Sequence, residues 1–325
     1  MNEAKDKTDL ILISGNDKLT WSITVCLLRA GYRVSLHTQN EEKALESIRE
    51  HAADIEKYMS STLNLTNLEI RKDLAEKNYR LAIAIRTEEL NNKLSAVREI
   101  ERVVSENTII AINTEIISLS DIQPGSEHPG RIIGANWVEP AHTSFFLEII
   151  SNQLTNEELV NDLYSTALAY WGKDPYIVKT DYSIRARMMS ALIREAFYLI
   201  ENGYVSFEDV DRACRNDAGY YLPFAGNFRY MDLMGTYIYG LVMKDMNPDL
   251  SKERQVPQFF NDLMDQGRTG MEIKKGFYQY DNAEVEKWKE LTRVFSYQIQ
   301  EIISKYPFNY LGKGFQSESK TNTVL

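Results

Sequence analysis

Apolar residues follow two different rhythms along this chain. Asp9-Leu-Ile-Leu-Ile-Ser14 is an unbroken apolar run that stops at Gly15, as a strand covered on both faces would. Trp21, Ile23, Val25, Leu27 and Leu28 then predict a helix ending at Gly31, where glycine accepts the left-handed conformation of a cap. Val34-Ser-Leu-His37 predicts a second strand, and Glu41–Tyr58 a long helix with charged outer positions. A weak strand at Leu68–Ile70 and a stronger one at Leu81–Ile85 follow, then a helix over Asn92–Val104. Further strands are expected at Thr108–Ile112, Arg131–Val138, Phe145–Ile150 and Tyr176–Val178. Strands alternating with helices at this spacing predict a doubly wound α/β sheet, whose ligands sit beyond the carboxyl ends of the strands.

From Ile184 onward the period becomes helical, as in Met188, Leu192, Ala196 and Leu199. Gly203 ends that helix, and Ser206 with Asp209 has the spacing of a capping box. More helices are expected over Met231–Met243, Gln258–Gln266 and Asn282–Lys305. The change of rhythm places a domain boundary near Asp181, giving an α/β domain over 1–181 and a helical one over 182–325. The polar Ser317–Leu325 tail is expected to fray.

A length of 325 residues accommodates two cores, and 43% apolar with 26% charged residues is ordinary for a globular chain. The formal charge of −10 argues against nucleic acid or an anionic membrane as partner, since both require a basic surface. The charged start, Met1–Thr8, has no apolar core of a signal peptide, and no apolar run nears the ~20 residues of a membrane span. Cys26 and Cys214 lie far apart in helical patterns and are expected as buried reduced thiols, which fits the cytoplasm. Four scattered His and no Cys/His cluster predict no metal site.

Gly172-Lys-Asp-Pro175, Glu195-Ala-Phe-Tyr-Leu-Ile-Glu-Asn-Gly203, Phe207-Glu-Asp-Val-Asp211, Gly219, Pro223-Phe224, Met231-Asp-Leu-Met-Gly235, Gly267-Arg-Thr-Gly270 and Lys275-Gly-Phe-Tyr278 occur in this order. The series resembles the 3-hydroxyacyl-CoA dehydrogenase family, including its λ-crystallin and carnitine dehydrogenase branches, over roughly Leu10 to Tyr280. The resemblance implies a Rossmann-like sheet followed by an all-α carboxyl-terminal domain. It also implies NAD as cofactor, a homodimer, and oxidation of 3-hydroxy acids or their CoA thioesters. The glycines and aromatics of these motifs equally serve turns and helix packing, so they speak for architecture more than catalysis.

The family opens with Gly-x-Gly-x-x-Gly between strand and helix, whereas this chain has Gly15-Asn-Asp-Lys-Leu-Thr20. Only Gly15 is kept. Asp17 stands where a bare backbone would approach the pyrophosphate, and it adds a negative charge there, which Lys18 partly offsets. Thr38 replaces the carboxylate that binds the ribose diol at the end of the second strand. Glu88 and Lys93 match the family's Glu and Lys, five residues apart.

In the family a His takes the hydroxyl proton, a Glu twelve residues later orients it, and a Ser with two Asn hold the substrate oxygen. Here Asn136 occupies the His position, Glu148 keeps the orienting place, Glu139 replaces an Asn, Glu115 the Ser, and Ala186 the second Asn. An amide cannot accept a proton near neutral pH, and losing general-base catalysis alone costs ~10²–10⁴-fold. Lost oxyanion donors add a further factor on the order of 10²–10³. Three outcomes stand open: weak or lost dehydrogenase activity, a non-catalytic dimeric ligand- or partner-binding protein, or changed chemistry on Glu115, Glu139 and Glu148. His142 is expected as a loop residue rather than a substitute base. The segment between Thr38 and Leu81 holds one long helix and little more, which argues for a ligand smaller than a CoA thioester.

Overall fold

A computed structural model describes residues 9–306 and 308. Two compact units divide between Ser190 and Ala191. That junction lies inside the helix expected to open the second domain.

The first unit is built on one eight-stranded sheet. Its elements are β1 (Leu10–Ser14), α1 (Lys18–Arg29), β2 (Arg33–His37), α2 (Glu41–Met59), β3 (Leu68–Arg71), β4 (Tyr79–Ala84), α3 (Leu90–Glu101) and β5 (Ile109–Ile112). A short α4 (Leu119–Ile122), β6 (Ile132–Asn136), β7 (Glu148–Ile150), α5 (Glu157–Tyr170) and β8 (Tyr176–Val178) follow. The strand order is β3-β2-β1-β4-β5-β6-β7-β8, so the winding direction reverses between β1 and β4. β1 to β6 are mutually parallel. β7 runs antiparallel to β6, because the chain between them is a loop with no crossover helix.

Alternate strand residues feed two cores. Ile11, Ile13, Val34 and Leu36 pack with α1, α2 and α5 on one face. Leu12, Ala82, Ala84, Ile110 and Ile112 pack with α3 and α4 on the other. Unbroken apolar strands follow from this double cover. Gly31 takes φ +86°, as expected of a cap after α1. β6 and β7 are shorter than their apolar runs, since Trp137 and Leu147 are buried by loop packing rather than by the ladder. The sequence pattern gave no sign of α5. Val160, Leu163 and Ala167 are its buried residues, while Leu168 and Tyr170 are exposed and blur the stripe.

α6 (Ile184–Glu201) crosses the junction, and α7 (Phe207–Ala213), α8 (Gly219–Met234), α9 (Thr236–Met246), α10 (Gln258–Asp265) and α11 (Asn282–Lys305) complete the described chain. The Ser206/Asp209 capping box is formed, and Asp281/Glu284 forms a second one. The helix expected over Met231–Met243 breaks at Gly235, whose φ of +101° is open to glycine without strain. The Ser317–Leu325 tail lies outside the described residues. No helix among the described residues is long and apolar enough to cross a membrane. Cys26 is buried and donates to the Trp171 carbonyl, whereas Cys214 is only half-buried; both are free thiols.

The loop from β6 to β7 is fixed by buried polar groups. Lys173 donates to the Ala141 and Ser144 carbonyls and lies 5.3 Å from the Trp137 ring centre. Arg29 donates to the His142 carbonyl at 3.1 Å, and the His142 ring is 4.5 Å from that of His51. Burial, then the charges of His51, Arg29 and Lys173, hold the His142 imidazole well below its ordinary 6.5. The folded chain therefore keeps His142 neutral where the unfolded chain takes up a proton. Its stability contribution is complete above 6.5 and is lost progressively as pH falls below that value toward the depressed folded pKa. Melting temperature is thus expected to drop between about pH 7 and about pH 5, and His142→Gln should flatten that decline; a wild-type profile already flat over this window would contradict the assignment.

Candidate active site

The register of β6 against β7 sets Asn136 directly opposite Glu148. Both side chains are buried. The Asn136 amide donates to the Thr114 carbonyl at 2.7 Å and to Glu148 Oε2 at 2.9 Å, and its oxygen accepts from the Thr114 N–H at 2.7 Å. Both amide hydrogens and the carbonyl are therefore committed. Asn136 ties the chain after β5 to the β6–β7 pair, and it offers no atom that accepts a proton near neutrality.

Glu148 Oε1 accepts from the Ile184 N–H at 2.9 Å, the Arg185 N–H at 3.2 Å and the Tyr176 hydroxyl at 3.1 Å. It thus caps the amino terminus of α6, where an anion suits the helix dipole. Burial, then the charge of Glu148 and the hydrogen bond to it, push the Tyr176 hydroxyl upward. Arg185 donates to Glu115 Oε1 at 2.6 Å and lies 5.9 Å from the centre of the Phe146 ring.

Glu115 and Glu148 both meet Arg185, one through its guanidinium and the other through its backbone N–H. Glu148 is pinned to α6, Glu115 is drawn to Arg185, and Glu139 is exposed in the loop after β6. Among the described residues no group of three or more His, Cys, Asp or Glu side chains is placed to hold a metal ion. His142, buried against His51 of α2, is no substitute base beside Asn136.

The other cluster lies at the reversal between β1 and β4. A side chain at Gly15 would place Cβ 2.2 Å from Thr20 Oγ1 and 3.1 Å from the Ile85 carbonyl, so the turn into α1 closes only around glycine. Asp17 is the N-cap of α1 and accepts from the Thr20 N–H at 2.8 Å and the Thr20 hydroxyl at 2.6 Å. Asn16 Oδ1 accepts from the Thr38 hydroxyl at 3.0 Å and the Gln39 N–H at 2.7 Å, bridging this turn to the end of β2. Glu88 Oε2 accepts from three successive amides, Glu115 and Ile116 at 3.2 Å and Ile117 at 3.4 Å. Its Oε1 is 2.7 Å from the buried ammonium of Lys93, whose pKa burial lowers despite that partner.

Sequence patterns had not singled out Arg86. Its Nη1 donates to the carbonyls of Ser14 at 2.7 Å and Ile85 at 2.9 Å, and Nη2 donates to Ser14 Oγ at 2.8 Å. Its own backbone N–H and carbonyl are both bound by the Asn113 side chain at 2.8 Å. The available sign was a lone arginine ending the apolar run of β4.

Residues 13–181 match the model of the 3-hydroxyacyl-CoA dehydrogenase NAD binding domain, and residues 184–280 that of the 3-hydroxyacyl-CoA dehydrogenase C-terminal domain. The chain belongs to the 3-hydroxyacyl-CoA dehydrogenase family. Among relatives, the 5-formyl-3-hydroxy-2-methylpyridine 4-carboxylate 5-dehydrogenase of Mesorhizobium japonicum is 27% identical over 195 residues, 59% of this chain and 63% of that one. The fatty acid oxidation complex subunit alpha of Shewanella amazonensis is 26% identical over 239 residues, 72% of this chain but 32% of that one. The chain thus spans less than two thirds of either relative. A crystal structure of 5-formyl-3-hydroxy-2-methylpyridine 4-carboxylic acid 5-dehydrogenase, described as an NAD+-dependent dismutase, superposes with a TM-score of 0.86. It is 21% identical, and the match covers 93% of this chain and all of that one.

NAD is the cofactor of this family's amino-terminal domain, and the residues at the β1/β4 reversal fit it in altered form. The tight Gly15 turn and the Glu88–Lys93 pair are in place. Arg86 brings a guanidinium whose Nε–H and second Nη2–H have no acceptor among the described residues. Asp17 replaces the bare backbone on which a diphosphate ordinarily rests. The Asn136 lock is foremost structural: Asn136→Ala is expected to destabilise by about 2 kcal/mol or more, because it orphans the buried Thr114 N–H and carbonyl. Urea titration checks this, and a loss below about 0.5 kcal/mol would contradict it.

Proposed function

We propose that this chain is a dimeric member of the dehydrogenase family with weak or lost ability to oxidise 3-hydroxy acids or their CoA thioesters. One observation carries the proposal: the side chain at the proton-accepting position, Asn136, is an amide with all its hydrogen-bonding groups committed to Thr114 and Glu148. NAD, when bound, supplies the hydride acceptor. The chain's own residues must remove the hydroxyl proton, and neither Asn136 nor the pinned Glu148 is placed to do so. The alcohol oxygen also lacks its usual neutral donors, since Glu115 and Ala186 stand in for Ser and Asn. A cytoplasmic setting belongs to the same proposal, supported by two free cysteines.

A second possibility, a non-catalytic ligand-binding protein, is favoured by the three carboxylates seated on site amides. Asp17, Glu88 and Glu148 satisfy these donors without any substrate. Turnover separates the two. In a steady-state assay of short 3-hydroxy acids with NAD, wild type is expected to be slower than Asn136→His by about 10²-fold or more. Equal rates for the two would remove the basis of the proposal.

The dimer is supported by the second unit, where α8 and α9 present Tyr220, Phe228, Leu233, Tyr237 and Ile238 to solvent, with Phe228 82% and Tyr237 79% exposed. Large apolar side chains exposed in this number on two successive helices call for cover. A second copy of the chain is the proposed occupant. Light scattering after size exclusion is expected to give twice the chain mass, with Phe228→Asp shifting it toward one; a monomeric wild type would refute this part.

A further inference from the structure

We infer that Arg86 is the residue through which this chain recognises the diphosphate of an adenine dinucleotide, in place of the glycine backbone that Asp17 has displaced. The inference concerns binding and does not depend on whether oxidation survives.

Position comes first. Arg86 stands two residues past the end of β4, and its guanidinium reaches the last residue of β1. These are the two strands between which the winding reverses, and a doubly wound sheet receives its ligand in the crevice there. The guanidinium is also prearranged. Asn113 clamps the Arg86 backbone from both sides, and three hydrogen bonds to Ser14 and Ile85 fix the head group. An arginine fixed in this way loses little further rotamer freedom on meeting a ligand.

Charge gives the direction. All three acceptors of the guanidinium are neutral oxygens. The carboxylates that influence it electrostatically, Glu99 and Asp17, are not hydrogen-bonded to it. The buried cation within its electrostatic reach, Lys93, is engaged by Glu88. A half-buried guanidinium with two unused donors and no bonded counter-ion selects an anion with several acceptor oxygens, and the planar fork matches phosphate oxygens. Asp17 sits at the same turn, where it holds the first-turn donors of α1 through Thr20. Arg86 thus offsets the acidic residue that replaces glycine, and Asp17 is the group that a diphosphate must outcompete.

Calorimetric titration of the full chain with ADP and with NADH tests this without any turnover. Wild type is expected to bind both, with affinity falling as salt rises. Arg86→Ala should weaken ADP binding on the order of tenfold or more, and Asp17→Asn should strengthen it several-fold by removing a negative charge. Because Arg86 also ties β1 to β4, melting curves must show that the variant is folded. Should Arg86→Ala fail to fold, Arg86→Lys keeps the charge but loses the fork and is expected to weaken ADP severalfold. Wild type that binds neither nucleotide would overturn the inference. So would a folded Arg86 variant with unchanged ADP affinity.

Discussion

Backbone N–H groups at the start of a helix or in a tight loop need an acceptor, and around this sheet the chain supplies its own carboxylates. Glu148 takes the first amides of α6, Glu88 those of residues 115–117, and Asp17 that of Thr20 in α1. Each contact joins segments or fixes a turn, and together they set where every other polar side chain of the site must go. Asn136 follows from Glu148: a buried carboxylate with one remaining lobe requires a donor, and the amide opposite it in the strand register provides one. An imidazole at that place could pass a proton onward. The amide joins the same strands through its hydrogen bonds but is not itself basic near neutrality.

The altered residues therefore form consistent sets. At the substrate end, the Ser position has become Glu115, and the residue opening α6 supplies Arg185 to pair with it at 2.6 Å. At the cofactor end, Asp17 caps α1, and Arg86, just past β4, lies within its electrostatic reach without a bond to it. The Glu115–Arg185 ion pair limits the electrostatic penalty of the new carboxylate there.

The α/β domain was legible in the sequence because its strands are covered on both faces and read as unbroken apolar runs. β1 and β4 stand where Asp9–Ser14 and Leu81–Ile85 predict them, within a few residues. α5 escaped notice because its apolar residues face both the core and solvent. The helix over residues 231–243 hid its break, since only the backbone at Gly235 reveals the left-handed φ. In the site, the twelve-residue spacing from Asn136 to Glu148 was visible in one dimension, and the ladder explains it as a direct cross-strand pair. The meeting of Glu115 and Glu148 on Arg185 was not visible, since spacing along the chain does not show which side chains share a partner. Arg86 and Asn113 were equally silent, as their importance lies in bonds to backbone atoms of distant strands.

Loss of the proton acceptor is tested most directly by the pH dependence of whatever hydride transfer remains. On the proposed reading, in which no side chain accepts the proton, it must leave to hydroxide. The rate of nicotinamide reduction, measured with saturating 3-hydroxy acid and enough NAD to fill the chain, is then expected to climb in proportion to hydroxide from about pH 6 to about pH 9 without levelling. A plateau with its midpoint near neutrality would reveal a titrating base beside the substrate and contradict the role assigned to Asn136.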